Sequence, residues 1–277
     1  LADAPGLRLP DRLAERARDI SEGRVEAAAP RDASTVILLR DSPEGLLVYL
    51  LRRVSSMKFA PGAYVFPGGS VDRRDGDLAV AWSGPSPAEW GEAFGATETL
   101  ARELVCAAVR ETFEESGVLL AGPASDAIVP DTSGDDWEAD RQALLDRSQS
   151  LAELLARRGL VLRGDLLRPW AHWITPEIEE RRYDTRFFVA ALPDGQRTRD
   201  VSTESDRVTW VRPGDAVAAA RRGEMPMLPP TLVTLTELAA YDSVADVLAA
   251  VRSVRPRLPE ARVTGEGVFL FLPEDVG

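Results

Sequence analysis

The chain has 277 residues, 44% hydrophobic and 28% charged, a globular composition with room for one large domain or two modest ones. A formal net charge of −12 argues against a nucleic-acid partner, whose footprint is basic, and no apolar run approaches the ~18 residues of a membrane helix. A single cysteine, Cys106, and a single histidine, His172, exclude an intrachain disulfide and a Cys/His zinc site within one chain.

The first residues are charged and lack a signal-like apolar core, so the chain reads as cytoplasmic. Leu9, Leu13, Ala17 and Ile20 recur at helical spacing and predict a short helix over 9–20. That helix and an Ala/Arg/Glu-rich linker make up 1–32, and 33–277 read as a single α+β domain. Apolar, β-branched runs over 34–40 and 45–53 flank Asp41-Ser42-Pro43-Glu44 and predict a β-hairpin. Pro61-Gly62 leads into a short strand over 63–66 that stops at Pro67-Gly68-Gly69.

Residues 72–98 are rich in Gly, Asp and Pro and read as a surface insertion. It carries one small helix, opened by the capping box Ser86 to Glu89. A stronger helix runs over 99–116 and stops at Gly117. A second insertion, about 122–159, holds helices over 137–147 and 150–158. Strands are expected at 159–163, 169–174, 185–192 and 207–211, and helices at 213–222, 231–241 and 243–251, with a last hairpin over 262–272. His172 sits in the strand-like run Trp170-Ala171-His172-Trp173-Ile174 and is expected to be structural.

The helix over 99–116 carries the chemistry. At 100° per residue, Glu103, Arg110, Glu111 and Glu114 share a sector of about 100°, with Glu115 at its edge. Val105, Ala108, Val109, Thr112 and Phe113 form the opposite, packing face. Carboxylates three and four residues apart repel one another, and they stand at the helix end where the macrodipole disfavours negative charge. A hard divalent cation would remove both penalties.

Arg110-Glu111-Thr112-Phe113-Glu114-Glu115-Ser116-Gly117-Val118, with Phe66-Pro67-Gly68-Gly69 upstream, resembles the Nudix hydrolase box G-x5-E-x7-R-E-U-x-E-E-x-G-U, where U is apolar. Gly69, Arg110, Glu111, Glu114, Glu115, Gly117 and Val118 match. Thr112 replaces an apolar residue, and the first Glu of the box falls at Arg102, one place before Glu103. Forty residues separate Gly69 from Arg110, where the compact box has thirteen; the excess is the first insertion.

The resemblance implies an α/β/α sandwich with a mixed sheet, two inserted helical segments and a helical C-terminal part. It also implies Mg²⁺- or Mn²⁺-dependent hydrolysis of a nucleoside diphosphate linked to another moiety. Carried over by position, Gly68 (through its carbonyl), Glu111, Glu114 and Glu115 would bind metal, Glu111 could instead assist deprotonation of water, and Arg110 would orient the carboxylates. Many Nudix enzymes carry a further acid six residues before a Trp. Here that is Glu204, six before Trp210, as metal ligand or general base, with Asp206 as its rival.

The long insertion, Trp173-Ile174-Thr175-Pro176, the run from Arg181 to Phe188 and Pro229-Pro230-Thr231 look like the branch containing peroxisomal coenzyme A diphosphatases. Arg53, Lys58, Gly62 and Phe66 to Gly69 follow part of the pattern of coenzyme A-cleaving members, which makes Arg53 and Lys58 candidate substrate-binding residues. The expected substrate is coenzyme A or an acyl derivative, cleaved to 4′-phosphopantetheine and adenosine 3′,5′-bisphosphate. ADP-ribose, NADH or another nucleotide diphosphate is the alternative. A non-catalytic Nudix-fold binding module is a second, disfavoured by the intact Glu111/Glu114/Glu115 set. The expected partner is the small molecule itself, with neither nucleic acid nor membrane, and a homodimer left open.

Overall fold

Alternating burial along one strand fixes the layers. The computed structural model describes residues 6–56, 60–200 and 205–273. In it, strand Arg31–Ser42 sends Val36 and Leu38 to one face and Ile37 and Leu39 to the other, all four buried. A strand apolar on both faces must be covered on both.

The central sheet runs Ser205–Val211, Gly45–Arg53, Arg31–Ser42, Tyr183–Ala191, Leu167–Ile174 and Pro256–Arg257. Arg31–Ser42 is parallel to Tyr183–Ala191 and antiparallel to Gly45–Arg53, so the sheet is mixed, as expected. The helix Glu98–Ser116, which bears the box, covers one face through Leu104, Val105, Ala108, Val109 and Phe113. Helices Pro213–Arg221, Pro229–Leu238 and Val244–Ala249 cover the other through Ala216, Leu235, Leu238 and Val247. The α/β/α sandwich implied by the resemblance is therefore the fold.

The first hairpin pairs only from Ser42 and Gly45 back to Leu39 and Val48, then opens into a fork. Tyr64–Val65 pairs with Leu51 and Arg52 on one prong. The chain turns at Phe66-Pro67, and Gly68–Ser70 pairs with Ala33, Ser34 and Thr35 on the other prong. This fork brings the glycine turn to the edge of the box helix.

The first insertion is more than the surface loop its composition suggests. Trp90 and Phe94, on helix Pro87–Phe94, are buried against Phe188. Its residues Trp82–Ser83 pair with Val161–Arg163, which also pairs with Ala121–Gly122, so the first insertion shares a small sheet with the strands that flank the second. Strands of two residues are too short to show a period in sequence. The capping boxes at Ser86 and Ser150 form as expected, and the second insertion's helices are Asp135–Leu145 and Leu151–Arg158.

At the N-terminal side, Leu7–Arg8 pairs with Gly267–Phe271 of the last hairpin. Helix Asp11–Ser21 packs Ala14 and Ala17 with Val268 and Ile178. Among the described residues no helix is long and apolar enough to cross a membrane.

Candidate active site

The box helix opens at Thr97, whose hydroxyl accepts from the Leu100 N–H at 3.2 Å. It ends at Gly117 in the left-handed region (φ 75°), where a Cβ is strained. Thr112, the departure from the apolar pattern, is buried and donates its hydroxyl to the Ala108 carbonyl at 2.7 Å. A helix-backbone bond thus satisfies the polar group that the packing face had to accept.

The polar face is organised by Arg110, itself buried. Its Nε and Nη2 donate to the two oxygens of Asp75 at 2.9 Å each. Nη1 donates to Glu111 at 2.8 Å and to Glu114 at 3.2 Å, and Nη2 also reaches the Ser70 carbonyl at 3.0 Å. Asp75 lies in a 3-10 turn, Arg73–Gly76, formed by a reciprocal capping box between Asp72 and Asp75. Glu115 accepts from the Gly68 N–H at 2.8 Å, fastening the helix to the fork. A Cβ at Gly69 would sit 2.5–2.6 Å from the Glu111 carboxylate, so any side chain there would displace Glu111.

Electrostatically the cluster is under-compensated. One guanidinium faces Asp75, Glu111 and Glu114. Burial, reinforced by Glu114 and opposed by Arg110, pushes the Glu111 carboxyl up to about 7. Burial also raises Glu114 against the pull of Arg110, and raises Glu103 with help from Asp32 and Asp75. These are hard oxygen donors with an unneutralised negative charge, and they fit an oxygen-preferring divalent cation in donor chemistry and in sign. Among the described residues no three acidic, His or Cys side chains converge on one cation-sized gap. The fit therefore rests on donor type and charge.

The carboxylates open into a cleft of about 1640 Å³. Glu111, Glu114, Glu115, Gly68 and Arg53 all line it, so the structure brings these predicted residues together. Lys58 and Glu204 lie outside the described residues. Asp206, the rival of Glu204, is held by Arg52 at 2.6 and 2.9 Å on the edge strand. His172 is buried and bonded to Asp184, and is not among the residues lining the cleft.

Sequence reading missed two residues. Asp75 was hidden in an insertion, although Asp72-x-x-Asp75 is a capping pattern that could have marked the turn. Arg147 comes from the second insertion, lines the cleft, and holds an unusual left-handed backbone (φ 62°). Its positive charge lies near enough to draw down the carboxyls of Asp72 and Glu114. Among the described residues its guanidinium has no hydrogen-bond or ion-pair partner.

Comparison with known proteins gives concordant results. Residues 95–238 match the family model described as the NUDT19 Nudix domain. The chain is 27% identical to the acyl-coenzyme A diphosphatase NUDT19 of Gallus gallus, over 88% of this chain and 79% of that protein. It is also 27% identical to the Homo sapiens protein of the same name, over 84% of this chain and 72% of that one. The crystal structure of a NUDIX hydrolase from Alicyclobacillus acidocaldarius is similar at a TM-score of 0.67 and 26% identity, covering 82% of this chain and 98% of that one.

Proposed function

The chain belongs to the NUDT19 Nudix domain family and is a Nudix hydrolase, and from that premise we propose that it is a metal-dependent acyl-coenzyme A diphosphatase. The observation that carries the reading is the likeness to proteins named acyl-coenzyme A diphosphatase along most of the chain. Water attacks one phosphorus and the P–O–P bridge breaks. The products are 4′-phosphopantetheine, free or S-acylated, and adenosine 3′,5′-bisphosphate.

Mg²⁺ or Mn²⁺, held by the Gly68 carbonyl, Glu111, Glu114, Glu115 and Glu204, would supply charge on the phosphoryl oxygens and a lowered water pKa. Arg110 holds Glu111 and Glu114 at fixed positions and is itself fixed by Asp75. The Oε1 of Glu111 accepts from Arg110, which leaves Oε2 to take a proton from water. A carboxyl near 7 is suited to that transfer at neutral pH. Arg53 and Arg147 meet phosphate oxygens from the cleft wall.

The test is a panel of coenzyme A, acyl-coenzyme A, dephospho-coenzyme A, ADP-ribose and NADH with and without Mg²⁺ or Mn²⁺, with products identified by mass. Metal-dependent release of adenosine 3′,5′-bisphosphate is the expected outcome. Turnover confined to ADP-ribose or NADH would overturn the substrate assignment.

A further inference from the structure

The floor of the cleft is a row of residues that crosses four strands. Ser70 pairs with Ala33, Ala33 with Thr185, and Thr185 with Trp173. All four line the cleft. Neighbouring strands lie ~4.8 Å apart, so the row extends roughly 14 Å from the glycine turn beside Glu111. An extended pantetheine arm, anchored by its diphosphate at the carboxylates, spans that distance.

Part of the cleft wall is aliphatic. It is built by Leu7, Leu9 and Leu13 of the N-terminal segment, Ile178 of the loop after Leu167–Ile174, and Leu270 of the last hairpin. Leu9 and Ile178 are buried and Leu13 and Leu270 half-buried, whereas Leu7 is 66% exposed. The segment is tied to the last hairpin: Leu7 pairs with Leu270, and the Leu9 N–H donates to the Val268 carbonyl at 3.0 Å. Glu179 and Arg181, close in sequence to Ile178, also line the cleft.

The cleft is larger than the ~300–1,000 Å³ of ordinary ligand pockets. Phosphates and ribose are polar and do not match an aliphatic wall. We propose that Leu7, Leu9, Leu13, Ile178 and Leu270 form the subsite for the acyl chain of a thioester substrate, an inference that rests on the coenzyme A reading above. The N-terminal segment then belongs to the substrate site, and cleavage favours acyl thioesters over the free thiol.

The experiment measures kcat/KM for free coenzyme A and for straight-chain esters from acetyl to palmitoyl. It compares the full chain with Leu13→Asp, Leu270→Asp and the conservative Leu13→Met, with thermal melting as a control for folding. In the unaltered protein kcat/KM should rise roughly two- to four-fold per methylene until the subsite is filled. In both Asp variants the ratio of long-chain ester to free coenzyme A should collapse toward one, and Leu13→Met should restore it. A flat chain-length profile in the unaltered protein, or an unchanged ratio in folded Asp variants, would overturn the subsite while leaving diphosphatase activity established. Absence of hydrolysis of every coenzyme A species would overturn the coenzyme A reading itself, and the subsite with it.

Discussion

At the scale of single residues, the carboxylates of the box helix divide into distinct tasks. Glu115 bonds to the Gly68 N–H, whereas Glu111 and Glu114 share Arg110. Glu114→Gln or Glu115→Gln is expected to lower turnover at least ~10²-fold at limiting Mg²⁺; unaltered activity in both variants would remove them from the metal site. Asp75 gives a sharper contrast, because it bonds Arg110, which in turn bonds Glu111 and Glu114. Asp75→Asn should cost about 2 kcal/mol in urea unfolding, less than the ~3–5 kcal/mol of a buried pair fully broken, since Arg110 keeps Glu111 and Glu114. Its kcat should fall while KM changes little, the pattern of a positioning residue. Stability and kcat both equal to the unaltered protein would show that Asp75 does not set Arg110.

At the scale of elements, both insertions reach the cleft. The first delivers Asp75 to Arg110, and the second delivers Arg147 to the cleft beside Glu114. Arg147 adopts φ 62°, a conformation that costs a residue with a Cβ of order 1–3 kcal/mol and that glycine accepts freely. Arg147→Gly is therefore expected to raise stability by about 1 kcal/mol while lowering kcat/KM about ten-fold or more, a trade of stability for function. Arg147→Ala should show the same loss of activity without the gain. Full activity in both variants would make this arginine an incidental feature of the turn.

At the scale of the whole molecule, pH acts through two opposed sets of carboxylates. In chelated protein Glu111 has its carboxyl raised to about 7 in the fold, against 4.5 for a free glutamate. The folded state then binds the proton more tightly, so stability rises as pH falls from about 7 toward 4.5. Asp72, lowered to about 2 by its bonds from Arg74, and Glu138, lowered to about 2 by Arg141, act the other way. Their contribution is full above about 4.5 and is lost as pH falls toward 2. Melting temperatures of EDTA-treated protein should therefore pass through a maximum in mild acid. A maximum at or above neutrality would show that Glu111 is not raised.

The sequence by itself determined the local grammar of this protein. The strands 34–40 and 45–53, the helix ending at Gly117 and the capping boxes at Ser86 and Ser150 follow from periodicity and end signals, and they form within a few residues of expectation. The box residues were legible because their chemistry lies within nine consecutive positions plus one glycine turn. Only the tertiary structure decided what joins them. Arg110 meets Asp75 across 35 positions, and Leu7 meets Leu270 across nearly the whole chain. Such pairings depend on which chain segments the sheet brings side by side. No local pattern encodes that, because either partner alone is an ordinary solvated acid or an ordinary exposed leucine. The sheet places Ser70, Ala33, Thr185 and Trp173 in one row of a cleft that the carboxylates of the box helix and an aliphatic wall also line.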